Sequence, residues 1–98
     1  MDNIPLFPYD SDNPKKSILE NVDMIHRRTV VAIDIGYNAG LEVVTLFQMG
    51  TPIDETKNFL NLPGYMWEEN LETALEYFEE IEDYEMCSYT QDVLSRIT

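Results

Sequence analysis

The chain has 98 residues, 44% of them hydrophobic, which suffices for one small domain with a core and excludes a compositionally disordered chain. Nineteen acidic residues against six basic ones give a net charge of −13, a balance that opposes direct binding to nucleic acid or to anionic membrane. One cysteine cannot build a disulfide framework, no apolar run approaches the ~20 residues that cross a bilayer, and the opening MDNIPLFPYD lacks the form of a secretory leader, so a cytoplasmic protein is expected.

In chain order, residues 1–13 read as an extended arm, because Pro5, Pro8 and the polar cluster from Asp10 to Asn13 oppose regular structure. Leu6, Phe7 and Tyr9 make the arm adhesive. It is expected to fold back onto its own domain or, through Phe7 and Tyr9, to contact a partner. Residues 14–98 read as a single helical domain. Asp12 or Asn13 caps a first helix with Pro14 at its first position, and Ile18, Leu19, Val22 and Ile25 share one face. The adjacent β-branched residues Thr29, Val30 and Val31 predict a break or a short strand.

From about Val31 to Gln48 the pattern reads as a second helix. Ala32, Gly36 and Gly40 recur at intervals of four, a row of small residues against which another helix can pack closely. Asp34, Asn38, Glu42, Thr45 and Gln48 form a polar stripe on the other side. Gly50 predicts the end of this helix. TPIDETKNFLNL then reads as a third, with Thr51 as cap, Pro52 in the first turn, and Ile53, Phe59 and Leu60 as buried anchors. Pro63-Gly64 marks a loop.

The last third carries the most regular pattern. Trp67, Leu71, Ala74, Phe78 and Ile81 recur at alternating steps of four and three, with Leu75 widening the seam. Glu82-Asp83 predicts a tight turn, and a final helix turns Tyr84, Cys87, Leu94 and Ile97 inward. So short a connection makes the two helices antiparallel neighbours. The expected fold class is all-α: a small bundle of four to five helices ending in an αα-hairpin, with an extended N-terminal arm.

Two stretches resemble known families. VVAIDIG, residues 30–36, looks like the phosphate-binding strand and turn of actin-like ATPases. Tyr37 and Asn38 stand where such proteins place Thr or Ser on the phosphate, and a chain this short cannot form their two lobes, so no nucleotide site is expected. The stretch ALEYFEEIEDYEMCSYTQDVLSRI, residues 74–97, resembles the UVR-type helical hairpin of excision-repair proteins and some protease adaptors. The acidic turn, Tyr84-Glu85, the small pair Cys87-Ser88 and Asp92 carry the resemblance. Thr90-Gln91 replaces the family's Leu-Arg, and Cys and Ser replace its paired alanines. The resemblance covers only the C-terminal third and implies a protein-contact module rather than a catalyst.

The residues themselves supply no enzyme signature. His26 is the only histidine, beside Arg27 and Arg28 on an expected helix surface, and one His with one Cys cannot complete a zinc site. Cys87 reads as a small buried hydrophobe. Glu-x-x-His pairs, which di-iron bundles use, are absent. Asp10 and Asp12 begin like a calcium loop, but Lys15 occupies the glycine position and Asn21 that of the bidentate glutamate. No cofactor is expected.

What remains is charge. Between Gly64 and Thr98 the local balance is −9, with Arg96 the sole basic residue. Glu68, Glu69, Glu72, Glu76, Glu79, Glu80, Glu82, Asp83 and Glu85 are expected on the outside of the hairpin, where like charges at i,i+4 cost a few tenths of a kcal/mol each. Two functions follow. One is a small acidic protein–protein interaction module (adaptor, assembly factor or inhibitor), non-catalytic, docking through Phe7 and Tyr9 or exposed tyrosines such as Tyr77 and Tyr89; a homodimer is also expected to suit so small a domain, which gains core by pairing. The other is a phage-type nucleic-acid mimic whose carboxylates, about 5–6 Å apart along a helix, occupy the basic groove of a DNA- or RNA-binding enzyme such as a restriction or CRISPR nuclease.

Overall fold

The computed structural model describes residues 4–7, 12–49 and 58–98. Their order is β1 (Leu6–Phe7), α1 (Pro14–Glu20), α2 (Val22–Asn38), β2 (Val43–Met49), β3 (Asn58–Pro63), a 3-10 turn (Gly64–Met66), α3 (Trp67–Glu80) and α4 (Tyr84–Ile97). The molecule is mostly helical, but a three-stranded sheet of order β1-β2-β3 replaces part of the expected bundle. No described helix is long and apolar enough to cross a membrane.

Asn13 caps α1 through its side chain, which accepts from the Lys16 amide at 3.2 Å. The helix stops at Asn21, whose amide reaches the Ile18 carbonyl and whose side chain donates to the Ser17 carbonyl at 2.7 Å. That break rotates α1 away from α2, so Ile18 and Leu19 are exposed instead of sharing a buried face with Val22 and Ile25. No break occurs at Thr29–Val31. The run is helical because it is where α2 meets the core: Val30 is fully buried, and the Thr29 hydroxyl donates back to the Ile25 carbonyl at 2.7 Å. Burial outweighs the modest helix penalty of β-branched residues.

The long second helix expected to reach Gln48 ends ten residues earlier. Ala39 follows α2, and Gly40 takes φ 74°, the left-handed conformation that glycine adopts without strain. Val43–Met49 is instead the central strand, parallel to β1 and antiparallel to β3. A bulge between Thr45 and Phe47 leaves Leu46 and Phe47 both buried, which erases the period-two signature of a strand from the sequence. Arg28 stabilises the bulge from below: its guanidinium, almost fully buried, donates to the Leu46 carbonyl at 2.7 Å and to the Thr45 carbonyl at 2.8 Å. Small residues on α2 do permit close approach, but to a strand rather than a helix, since a methyl on Gly36 would run into Val44 Cγ1.

The expected third helix is corrected in the same way. Its first half, including Thr51, Pro52 and Ile53, lies outside the described residues. Its second half, Asn58–Pro63, pairs with β2 from Val43↔Pro63 to Met49↔Asn58, and Phe59 and Leu60 are exposed rather than anchoring. The hairpin of α3 and α4 forms as expected. Trp67, Leu71, Ala74 and Phe78 are buried, joining Val30, Ile33, Val44, Phe47 and Val93 in one core. Two expectations at the tip fail: Ile81 lies in the turn beyond α3 and Tyr84 on the outer first turn of α4, and both are exposed.

Candidate protein-interaction surface

Two polar clusters join α2 to the hairpin, and they decide which charges remain outside. At one end Arg27 donates to Asp23 at 2.7 Å and to Asp83 at 2.6 Å. Asp83 also accepts from the Met86 amide at 3.2 Å, capping α4. The Tyr77 hydroxyl donates to Asp23 at 2.9 Å, and its ring stacks on His26 with centroids 4.6 Å apart. At the other end Asp34 accepts from the Tyr89 hydroxyl at 2.7 Å, from Arg96 at 2.7 Å and from Asn38 at 3.2 Å, while Arg96 also reaches Asp92 at 3.1 Å.

The titration behaviour follows from these contacts. The hydrogen bond from Arg27 lowers the pKa of Asp23 and of Asp83. Burial pushes the Asp34 carboxyl up, but donation from Tyr89 and Arg96 outweighs it and the net direction is down. Burial lowers the His26 pKa, with Asp23 opposing, so the stacked ring favours its neutral form. Burial raises the Cys87 thiol, reinforced by the negative charge of Glu79 and Asp83, which disfavours the nucleophilic thiolate.

These clusters use Arg27 and Arg96, and Arg28 is committed to the bulge. Outside them lie eight exposed glutamates of the hairpin: Glu68, Glu69, Glu72, Glu76, Glu79, Glu80, Glu82 and Glu85. None has an ion-pair partner among the described residues. Glu68 and Glu69 sit favourably at the positive end of α3, whereas Glu79 and Glu80 lie at its negative end, offset only in part by the adjacent N-terminus of α4.

Of the residues singled out from sequence, these eight share one outer surface, while Asp83 is half-buried on Arg27. Phe7 is 4% exposed and packs edge-on against Phe47 at 5.3 Å, so it belongs to the core, as an arm folded back onto its own domain would place it. Tyr9 lies outside the described residues. Tyr77 and Tyr89 are half-buried and spend their hydroxyls on Asp23 and Asp34. His26 is a half-buried stacking residue rather than a surface one.

A second feature was not read from sequence. Where the C-termini of α2 and α4 meet the N-terminus of α3, an open cleft of about 620 Å³ is lined by Tyr37, Glu42, Tyr65, Trp67, Glu68 and neighbouring apolar side chains. Trp67 forms its floor, only 6% exposed, with its indole N–H donating to the Leu62 carbonyl at 3.0 Å. Tyr65 stands at 88% exposure on the 3-10 turn. The Gly64 amide donates to the Glu42 carbonyl at 2.7 Å, which holds the two rims together. Leu41 and Val43 are shared with a smaller apolar depression reaching Ile35 and Ile4. The only sequence signal was an aromatic residue directly after Pro63-Gly64.

Comparison with protein-family models, with curated proteins and with solved structures returns no match.

Proposed function

We propose that this chain is a non-catalytic acidic interaction module that docks on a basic surface of a partner protein through the outer face of the α3–α4 hairpin, as an adaptor, assembly factor or inhibitor. The observation that carries this reading is the segregation of charge: Arg27 and Arg96 are spent on aspartates and Arg28 on the bulge, and eight exposed glutamates of the hairpin are left without an ion-pair partner among the described residues. Repulsion along such a face costs stability, and alternating signs would remove that cost. The resemblance of residues 74–97 to a UVR-type contact hairpin supports the same surface.

One observation favours the nucleic-acid mimic as the second reading. Helix α3 carries six glutamates in 14 residues. At ~1.5 Å rise per residue that is one carboxylate per ~3.5 Å, close to the ~3.4 Å per phosphate along one strand of DNA. A basic nucleic-acid groove therefore meets a familiar linear charge density.

The test is a pull-down from the source cells at roughly 0.05 M and 0.5 M salt, with the native chain and an E72Q/E76Q/E80Q variant. A basic partner retained at low salt, released at high salt and lost by the variant is expected. Retention at both salts by both chains refutes docking through charge. Displacement of the partner by an oligonucleotide selects the mimic over the general module.

A further inference from the structure

We propose that the cleft between Tyr37, Glu42, Tyr65 and Glu68 receives an arginine or lysine side chain projecting from the partner protein, so that docking is anchored at one point rather than spread over the acidic face alone. The inference rests on the reading of a basic partner and adds to it a site and a chemistry.

Two features of the cleft select a cation. Its lining is aromatic: Tyr37 and Tyr65 are both exposed and line it together with the buried Trp67. Aromatic faces attract a cation placed over them. Its rims are anionic, since Glu42 and Glu68 line the cleft and neither has an ion-pair partner among the described residues.

Shape agrees with charge. The volume lies within the ~300–1,000 Å³ typical of ligand pockets, and it admits a long side chain with the backbone that bears it. An apolar floor suits the methylene stem of arginine or lysine while the rim carboxylates meet its head. Glu68 belongs at once to the cleft and to the acidic row of α3, so a basic segment lying along that row is led into the cleft. A second copy of this chain is a poor occupant, because two such negatively charged faces repel.

Trp67 is the only tryptophan and lines the cleft, which makes its indole N–H resonance a local reporter. A hexa-arginine peptide is titrated into the isotope-labelled full chain and followed by NMR, with a hexa-citrulline peptide of the same shape but no charge as control. Hexa-arginine is expected to shift the Trp67 indole and the amides of Tyr37, Glu42 and Tyr65. Tyr65→Ala is expected to weaken its binding about three- to fivefold, the worth of one exposed cation–aromatic contact. An E72Q/E76Q/E80Q variant should bind more weakly yet keep the Trp67 shift. Shifts confined to the α3–α4 glutamates, with Trp67 unmoved, overturn the cleft and leave the acidic module standing. An equal response to hexa-citrulline overturns the choice of a cation. Absence of any response to hexa-arginine overturns both readings.

Discussion

The two faces of α3 share one helix and obey opposite rules. Its inner face, Trp67, Leu71, Ala74 and Phe78, is buried, with α4 and α2 packed against the helix. Its outer face is nearly all glutamate, exposed and without an ion pair among the described residues. Apolar burial makes the inner face a source of stability. The outer face opposes stability through repulsion at i,i+4. The difference teaches where function is to be sought: residues that hold the fold together explain themselves, whereas a surface that works against it calls for another role.

The largest effect that tests this contrast is on the inner face. Phe78→Ala removes a fully buried ring that packs edge-on to His26 and Tyr77, and it should cost about 3–5 kcal/mol in urea unfolding. A loss below about 1 kcal/mol would show that α3 is not anchored to α2 as described.

A smaller effect comes from the seam between the faces. Because burial holds His26 neutral, the unfolded chain takes up a proton as pH falls below its ordinary value of 6.5 while the folded chain resists. Stability should therefore decline from about pH 6.5 downward, and His26→Gln should flatten that part of the profile. Asp23, Asp34 and Asp83 act in the same direction at lower pH. Their pKa values are depressed in the folded state, so the stability they contribute is present above the carboxylate range and lost as pH falls through it. Parallel profiles for native and variant chains between pH 5 and 7 would mean that the stacked ring is hydrated like a free one.

The smallest effect has the opposite sign. E72Q/E76Q/E80Q removes the like-charge pairs along the outer row and should stabilise the chain by a few tenths of a kcal/mol per pair at low ionic strength. The gain should vanish near 1 M salt, where the screening length is ~3 Å. A variant less stable than the native chain would mean that the outer glutamates contribute to the fold, and the contrast between the faces would dissolve.

Local chemistry was enough for the C-terminal half of the fold. The four-three spacing from Trp67 to Phe78 has one helical solution, the Glu82-Asp83 turn admits only antiparallel neighbours, and Asn13-Pro14 announces a helix start. The glutamates that become the outer face were legible for the same reason, since a helix with one apolar seam sends every charge to the other side. Residues 39–49 and 58–63 were not legible. Their strand is bulged, so its alternation is broken, and its apolar letters fit a helical stripe equally well. Only pairing of β2 with β1 and β3, long-range and invisible in a window of sequence, chose the extended form. Tertiary structure alone likewise paired Arg27 and Arg96 with aspartates and buried Arg28, turned Phe7 into core, and brought Tyr37 and Glu42 together with Tyr65 and Trp67, from two separate stretches of chain, to one cleft. Periodicity records which side of a helix faces inward; which cation meets which carboxylate is a property of distances between elements, and those exist only once the chain has packed.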